Sequence, residues 1–371
     1  MKTAIIGCGM ISRTYLTCLK KFSILEIAAC CDLNEERAQA MAEEFGIRQM
    51  TFEEILSDSD IELIINLTNP AAHYQLTKQA LLAGKHVYSE KMLAVELTEG
   101  KELVELAAAK NLRLGAAPDT FLGGGIQTAG YIIRHGLIGQ VTSAALSVSR
   151  DYFITGDMLP HLNKRGGGIA FDVGCYYLTA LLSILGPVEK VTGFTGVNRP
   201  ERVNQRVGTL RYGEKMIVEC ENIVTASMVL KSGVLVSVHF TSEAIVNEVP
   251  RLEIYGTEGI LFAGDPNNFD SPVYLQKMMS DKVCFPFTHG YTEQARGIGA
   301  AEMAWAVKAG RPHRASMEMA YHVFEAVHGM TLSAKEEKVY YMQSDFTPPV
   351  PLPEGFLDNG DWGPVQEAAL V

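Results

Sequence analysis

The sequence predicts two domains: an α/β domain, then an α+β domain built on a large open, mostly antiparallel sheet. The chain has 371 residues, more than one simple core usually holds. Residues 1–118 alternate short apolar runs with helix-like stretches, which is typical of a parallel sheet covered by helices. Beyond residue 118 strand-like runs follow one another with few helices between them, so we place the second domain at 119–371.

Composition excludes several classes of protein. The chain is 47% apolar and 20% charged, as in ordinary globular enzymes, and its net charge of -11 argues against a nucleic-acid partner. Its seven cysteines form no Cys-x-x-Cys pair, which indicates reduced thiols in the cytoplasm. We see no signal peptide and no apolar run of membrane length, so we expect no membrane partner. No His, Asp or Glu cluster has metal-ligand spacing, and we expect no metal.

The first element is a strand, a glycine turn and a helix. The apolar run Ala4–Ile6 ends at Gly7, and Gly9 precedes a helix predicted over 10–21, which opens with Met10 and Ile11. Gly7 permits a tight turn, Gly9 lets a pyrophosphate approach the backbone, and the helix N-terminus attracts the anion. The third position of this pattern, usually Gly or Ala, is the small residue Ser12.

A second apolar run, 25–31, ends at Asp32, where dinucleotide-binding folds place the acid that accepts hydrogen bonds from a ribose. A plain crossover with a solvated Asp32 is the alternative. The acid favours NAD, because a carboxylate repels the 2′-phosphate of NADP. Leu33 and Arg37 follow it, and Arg37 would serve NADP only if it turned back toward the ribose.

The remaining elements of the first domain bring more polar residues to the same edge. Thr68, Asn69 and Pro70 follow one predicted strand, and Glu90 and Lys91 follow the next. In parallel sheets, ligands bind beyond the carboxyl ends of the strands, so these residues should line one crevice. The predicted helices are 35–44 (capped by Asn34), 71–83 and 98–110, with a short piece near Thr51; the predicted strands are 61–67, 85–89 and 112–116.

The second domain is predicted to begin with a bridging helix over 120–135. The sequence Lys231-Ser232-Gly233 predicts the turn of a β-hairpin. Apolar residues on both faces of 234–240 suit a sheet that carries an oligomer interface. The predicted strands are 141–150, 188–197, 222–230, 234–241 and 251–255; the late helices are 292–309 and 317–333, and 352–371 form an extended strap or a mobile end.

Five ordered motifs resemble the Gfo/Idh/MocA oxidoreductase family over roughly residues 2–335. They are Gly7-Cys8-Gly9-Met10-Ile11, Thr68-Asn69-Pro70 with His73, Glu90-Lys91, Gly166-Gly167-Gly168 followed by Asp172-Val173-Gly174-Cys175-Tyr176, and Tyr255-Gly256-Thr257-Glu258-Gly259. The resemblance implies a dinucleotide-binding Rossmann domain. It also implies a substrate domain that forms a homodimer or homotetramer through its sheet. By resemblance, Thr68 to Pro70, His73, Glu90 and Lys91 lie beside the cofactor.

Two positions depart from the family's common pattern. The family's Glu-Lys-Pro reads Glu90-Lys91-Met92 here, and the histidine of many sugar and inositol dehydrogenases is Tyr176, with Thr179 at a later Asp position. Tyrosine at this place resembles the branches of glucose-fructose oxidoreductase and dihydrodiol dehydrogenase. It implies a tyrosine-based proton relay.

Lys91, Asp172 and Tyr176 are therefore the candidate catalytic residues. Lys91 can polarise the substrate oxygen, with its pKa pushed down by partial burial and the charged nicotinamide. Tyr176 can exchange a proton with the same oxygen, Asp172 can hold the lysine or the substrate, and the triple glycine can let the backbone approach the sugar. The alternatives are a solvated Lys91, a helix N-cap at Asp172 and a core position for Tyr176.

Weaker candidates could touch the substrate from the bridge or from the loop before the triple glycine. They are Asp119, Tyr152, His161, Asn163 and Arg165, with Lys164 and His289 to Tyr291 behind them. The leading function is NAD-dependent oxidation or reduction of a sugar, glycoside or polyol. Two alternatives stay open, an NAD-retaining glycosidase or lyase and a non-catalytic NAD-binding sugar sensor.

Overall fold

A parallel six-stranded sheet forms the first half of the computed structural model, which describes residues 1–151, 159–205, 207–209, 211–244 and 251–355. The strands are β1 (Lys2–Ile6), β2 (Glu26–Cys31), β3 (Arg48–Gln49), β4 (Leu63–Asn66), β5 (His86–Ser89) and β6 (Leu114–Ala116). Their order is β3-β2-β1-β4-β5-β6, so the chain reverses direction across the sheet between β1 and β4. A crevice forms at such a reversal.

Local signals in the sequence determine where the helices of this domain begin. They are α1 (Met10–Leu19), α2 (Glu35–Phe45), α3 (Phe52–Ser57), α4 (Pro70–Leu82) and α5 (Leu97–Ala109). The Asn34 side chain accepts from the N–H of Arg37, and Thr51 forms a capping box with Glu54. The predicted helices of the first domain are confirmed, with ends that differ by one or two residues.

The second sheet has nine strands and is mixed. Its strands are β7 (Val141–Ser149), β8 (Val188–Gly196), β11 (Ile223–Leu230), β12 (Leu235–Thr241), β13 (Arg251–Gly256), β14 (Gly259–Ala263), β15 (Val273–Lys277), β16 (Val283–Phe285) and β17 (Tyr340–Tyr341), while β9 (Glu201–Val203) and β10 (Lys215–Ile217) pair separately. The order is β16-β15-β14-β13-β7-β12-β11-β8-β17. Among the described pairs of this sheet only β7–β12 is parallel, and β7 is antiparallel to its other neighbour, β13. The mostly antiparallel sheet is confirmed, and β14 to β16 are strands that the sequence analysis missed.

One face of this sheet is buried beneath α6 (Gly124–Arg134), α7 (Cys175–Leu185) and α9 (Met317–Glu336). Along β12, Val236 and Phe240 point inward, whereas Leu235 and His239 are exposed. Apolar residues thus lie on both faces of this strand, but the outer face has only Leu235 beside Ser237 and His239. A groove of about 360 Å³ runs across that outer face between β7, β8 and β12.

Helix α9 joins the two domains although it lies near the end of the chain. It packs along β8 and α7 and also against α5 and β6. At Gly100 of α5, a Cβ would lie 2.7 Å from the Phe324 ring, so the two helices touch where glycine leaves room. Helix α9 therefore contacts elements of both domains.

Two predicted helix boundaries are wrong. The bridge is a 3-10 turn (Thr120–Leu122) and then α6, because Gly123 is extended. The helix predicted from 292 begins only at Ile298, as α8 (Ile298–Ala309), after the left-handed Gly297. A π-helical turn (Ala170–Gly174) precedes α7. Of the predicted strap, residues 352–355 are described: the Leu352 N–H donates to Gln127, and Gly355 pairs with His289.

Candidate active site

The glycine turn after β1 leaves a bare backbone surface at the start of α1. Gly7 has φ +91°, and a Cβ there would lie 2.8 Å from the Leu67 carbonyl, so only glycine fits. At Gly9 a Cβ would meet no atom of the chain within 4 Å, so the space over this residue is open. The α1 N-terminus has no side-chain cap, and the Ser12 N–H donates to the Gly9 carbonyl, so the N–H groups of Met10 and Ile11 are the ones available to an anion.

Asp32 lies at the end of β2 and ties this turn to the next helix. Its Oδ2 accepts from the Cys8 N–H at 2.7 Å, and its Oδ1 accepts from the Asn34 N–H at 2.8 Å. Arg37 Nη1 is 3.8 Å from Oδ2, and Leu33 is fully exposed. The carboxylate is thus held beside the glycine turn, at the place where a ribose would meet it.

The loop after β4 is fastened to the loop after β5 by His73. His73 is fully buried; its Nδ1 lies 2.7 Å from the Met92 carbonyl oxygen and its Nε2 2.9 Å from that of Thr68. Since the backbone occupies both ring nitrogens, His73 orders the crevice wall, and the expectation that it contacts the cofactor is corrected. Asn69, the exposed N-cap before Pro70, makes no capping bond with its side chain.

Lys91 stands between two carboxylates at the end of β5. Its Nζ donates to Asp172 Oδ1 at 3.0 Å and lies 4.0 Å from Glu90 Oε2. The buried Tyr15 hydroxyl donates to Glu90 Oε1 at 2.5 Å, which holds that carboxylate in place. The Lys91–Met92 peptide bond is cis, at the position where the common family pattern has proline.

The charge state of Lys91 differs from the sequence-based expectation. Burial lowers the pKa of Lys91, but Asp172, Tyr176 and Glu90 together outweigh it and hold the pKa well above its ordinary value. The expected depression is therefore wrong for the chain itself, because two carboxylates lie within 4.0 Å of the ammonium. Lys91 therefore carries its positive charge at neutral pH and acts as a hydrogen-bond donor.

Tyr176 lies between two cations. Its ring centroid is 5.5 Å from Lys91 Nζ and 5.5 Å from Arg296 Cζ, and its hydroxyl oxygen accepts from Arg296 Nη1 at 3.0 Å. The side chain is buried, and burial raises the pKa of Tyr176 to about 12, although both cations act against it. Sequence reasoning missed Arg296, since nothing near it in the chain marks a buried arginine.

Asp172 reaches Lys91 from the π-helical turn that precedes α7. It lies inside this turn, and its N–H donates to the Gly168 carbonyl, so the helix N-cap alternative is wrong. The triple glycine also has a structural role: a Cβ at Gly166 would lie 2.8 Å from Val95, and at Gly168 2.7 Å from the Glu221 carbonyl. These glycines therefore allow close packing within the chain, and the approach of a sugar to this backbone stays a prediction.

Asp119 is fully buried and caps α8 from the interior. Its Oδ2 accepts from the N–H groups of Gly297 at 2.8 Å and Gly299 at 3.1 Å. Burial raises the pKa of Asp119 to about 6, which those bonds and Arg296 partly offset. This position corrects the expectation of substrate contact, because the carboxylate is used to hold the start of α8, directly after Arg296.

The remaining substrate candidates differ in how near they lie to Lys91 and Asp172. His161 is near Lys91 and Asp172, which act in opposite directions on its pKa, and burial lowers that pKa overall. Asn163 is buried, and its amide nitrogen has no partner among the described residues. Arg165 is exposed and pairs with Glu96 at 2.6 Å. Tyr152 lies outside the described residues, Lys164 is exposed, and His289 is buried against Thr288 and Leu352.

These residues fit a dinucleotide on one side and a polar substrate on the other. The open backbone at Gly9, the capless α1 and the held carboxylate of Asp32 suit a pyrophosphate and a ribose. Within the described part of the chain, no group of three His, Cys, Asp or Glu side chains could hold a metal ion, and no helix has the length and apolarity to cross a membrane. The Lys91 cluster supplies fixed positive charge and one phenolic hydroxyl.

Two family models match the chain, one for each domain. Residues 1–117 match the model described as an oxidoreductase family with an NAD-binding Rossmann fold. Residues 126–262 match the model of the C-terminal domain of the Gfo/Idh/MocA proteins.

Curated relatives and solved structures agree with these matches. An uncharacterized oxidoreductase of Schizosaccharomyces pombe is 29% identical over 52% of this chain and 53% of its own length. The D-apiose dehydrogenase of Paraburkholderia graminis is 26% identical over 70% of this chain and 66% of its own. The chain thus spans about half the length of the first of these relatives. A levoglucosan dehydrogenase in complex with NADH and L-sorbose has the same fold, with a TM-score of 0.80 and 21% identity over 93% of this chain and 99% of that one.

Proposed function

The chain belongs to the Gfo/Idh/MocA oxidoreductase family, and we propose that it transfers a hydride between NAD and a secondary alcohol or ketone of a sugar, glycoside or polyol. The observation that carries this proposal is the Lys91 ammonium, paired with Asp172 at 3.0 Å and facing the Tyr176 ring. A fixed cation beside a phenolic hydroxyl suits an oxygen that gains and loses negative charge.

NAD would be held by the glycine turn at Gly7 and Gly9, the first turn of α1, and the Asp32 carboxylate. When bound, its nicotinamide supplies the hydride acceptor or donor. Thr68, Asn69 and Pro70 form the neighbouring crevice wall, which His73 and Asn66 order from behind. We prefer NAD to NADP because Asp32 accepts from two backbone N–H groups, and a 2′-phosphate would face this carboxylate.

Lys91 would bind the reacting oxygen of the substrate. An oxyanion forms there when a hydroxyl loses its proton, and a buried cation stabilises it more strongly than water does. Asp172 and Glu90 keep Lys91 protonated and aimed, so this residue contributes charge rather than proton transfer.

Tyr176 would move the proton. With a pKa of about 12 it carries its proton at neutral pH and can donate to a substrate carbonyl oxygen as reduction proceeds. Oxidation requires the reverse transfer, from the substrate hydroxyl to the phenolate. The rate of oxidation should therefore rise as pH increases toward the Tyr176 pKa, and the rate of reduction should fall.

The substrate class is supported by what related proteins are named for. They include the D-apiose dehydrogenase described above, a D-xylose dehydrogenase of Paenarthrobacter nicotinovorans and an inositol 2-dehydrogenase of Salmonella agona. All act on polyhydroxylated carbon chains or rings. His161, beside Lys91 and Asp172, is the side chain that we propose for a second substrate hydroxyl. A homodimer or homotetramer through the second sheet and a cytoplasmic location stay predictions.

The test is the absorbance of reduced nicotinamide after mixing the protein with NAD and a panel of sugars, glycosides and polyols. We expect a rise with some of them, and none with the Tyr176→Phe variant at the same NAD occupancy. Lys101→Ala is the control, because Lys101 is exposed on α5 and pairs with Glu105, and it should behave as the parent. Product release without net reduction of NAD would favour a retaining glycosidase or lyase, and binding of sugar with no turnover would favour a sensor.

A further inference from the structure

We propose that Arg296 is a positioning residue that directs the exchangeable proton of Tyr176 toward the substrate oxygen. The proposal rests on the hydride-transfer function above and deepens it. It follows from the hydrogen-bond pattern around the phenol, from the way in which Arg296 is held, and from the charges that face the ring.

Arg296 is fixed from both sides. Its Nη2 donates to the Asn267 carbonyl oxygen at 3.2 Å and to Asn267 Oδ1 at 2.7 Å, and its Nη1 donates to the Tyr176 hydroxyl at 3.0 Å. Only 8% of the residue is exposed. The next residue, Gly297, begins the segment capped by Asp119, so the backbone at Arg296 is anchored as well. A planar guanidinium held in this way aims its N–H at one point.

The bond between Arg296 and Tyr176 has only one possible polarity. A guanidinium donates and never accepts, so the phenolic oxygen must be the acceptor. The proton of the Tyr176 hydroxyl therefore points away from Arg296. Lys91, whose Nζ is 5.5 Å from the ring centroid, is also a pure donor, so it cannot take that proton. The described residues provide no acceptor for this proton, and a substrate oxygen bound at Lys91 would supply one.

Charge works in the same direction as geometry. Arg296 and Lys91 favour the phenolate of Tyr176, whereas burial, Glu90 and Cys175 disfavour it. Tyr88 also faces this group from β5. Loss of Arg296 would remove one of the two cations and leave the burial unchanged, so the pKa of Tyr176 should rise further.

The decisive measurement follows Tyr176 directly and needs no turnover. The full chain is labelled with 3-fluorotyrosine, whose phenol ionises at lower pH, and the Tyr176 resonance is assigned by its absence in Tyr176→Phe. In Arg296→Gln we expect the midpoint of the pH titration of this resonance to rise by about 1 pH unit or more, the size of pKa shift expected for an adjacent charge. Arg296→Lys should restore part of the shift. An unchanged midpoint in Arg296→Gln would overturn the proposal.

Arg150→Gln is the matched control. Arg150 is a mostly buried arginine that pairs with Asp265 at 3.1 Å, and Asp265 accepts from Tyr177, the residue next to Tyr176. Its removal should leave the Tyr176 midpoint in place. An equal shift in this control would show a general effect of lost charge and would overturn a specific role for Arg296.

Kinetics then separate this inference from the function on which it rests. With an active substrate, Arg296→Gln should lower kcat for oxidation at neutral pH about tenfold, with KM nearly unchanged. A rise of one unit in the pKa of Tyr176 lowers the ionised fraction of this base about tenfold. If no substrate is ever turned over, the proposed function fails, while the fluorine titration still decides the role of Arg296. Should Arg296→Gln not fold, Asn267→Ala keeps the cation but loosens it, and an unchanged midpoint there would overturn the proposal.

Discussion

The cofactor crevice and the charged cluster at its end are built in different ways. The crevice depends on backbone: Gly7 in a left-handed conformation, an uncapped α1 and the N–H groups that Asp32 holds. The cluster depends on side chains from separate segments, at Lys91, at Asp172 with Tyr176, and at Arg296. Backbone geometry can be specified within a few residues of sequence, whereas a charge cluster requires distant segments to meet.

The two regions should therefore respond differently to substitution. A change in the cluster should remove turnover and leave the dinucleotide bound, and a change in the crevice should weaken the dinucleotide or the fold. Four experiments test this separation.

The largest effect is expected for Lys91→Met. Removal of the buried cation should lower kcat about 10²- to 10³-fold, the usual cost of one oxyanion-stabilising donor. The dissociation constant for NADH, measured by fluorescence titration, should change by less than about threefold, because Gly9 and Asp32 are untouched. A parallel loss of NADH affinity would contradict the separation of the two regions.

Asp119→Asn tests the buried carboxyl group that caps α8 next to Arg296. Burial raises the pKa of Asp119 from 3.8 to about 6. Since the folded state then holds the proton more tightly than the unfolded state, the stabilisation is present below pH 4 and is lost as pH rises through about 6. The free energy of unfolding of the parent, relative to Asp119→Asn, should fall by about 2 kcal/mol between pH 4 and pH 7.

Denaturant titrations at several pH values measure this difference. Because both proteins share all other titrating groups, their difference isolates Asp119. A difference that is constant with pH would show that the carboxyl keeps its ordinary pKa in the folded chain.

Gly7→Ala and Gly9→Ala form a matched pair within the crevice. At Gly7 the new methyl would lie 2.8 Å from the Leu67 backbone at φ +91°, so the variant should lose about 1–3 kcal/mol of stability. At Gly9 the methyl meets no protein atom, and stability should stay within about 0.5 kcal/mol. The Gly9 variant should instead bind NADH about tenfold more weakly, or 1.4 kcal/mol. Equal thermal stability of both variants would contradict the packing seen at Gly7.

Asp32→Asn should have the smallest effect. Its amide still accepts one backbone hydrogen bond but no longer repels a 2′-phosphate, so the preference for NAD over NADP should fall about tenfold, or about 1.4 kcal/mol. The ratio of kcat/KM with the two cofactors measures this preference. An unchanged ratio would assign the discrimination to another residue, and Arg37, 3.8 Å from Asp32, is the first to examine.

Several features of the site follow from short stretches of sequence. The strand, Gly7 turn and helix are adjacent in the chain, and the caps at Asn34 and Thr51 act over three residues. Lys91 and Tyr176 could be selected as candidates because each stands in a motif of the family. The proximity of Lys91, Asp172 and Tyr176 was a prediction that the geometry supports.

Other features were decided only by tertiary packing. His73 lies against two backbone carbonyl oxygens, the triple glycine packs against other parts of the chain, and Asp119 caps α8 from the interior. Arg296 had no local signal at all, since its partners Asn267 and Tyr176 are 29 and 120 residues away in the chain. Sequence alone determined the elements and the backbone turn that a dinucleotide requires, because those depend on interactions between near neighbours. The partners of each buried charge depend on which distant surfaces pack together, and only the folded chain determines that.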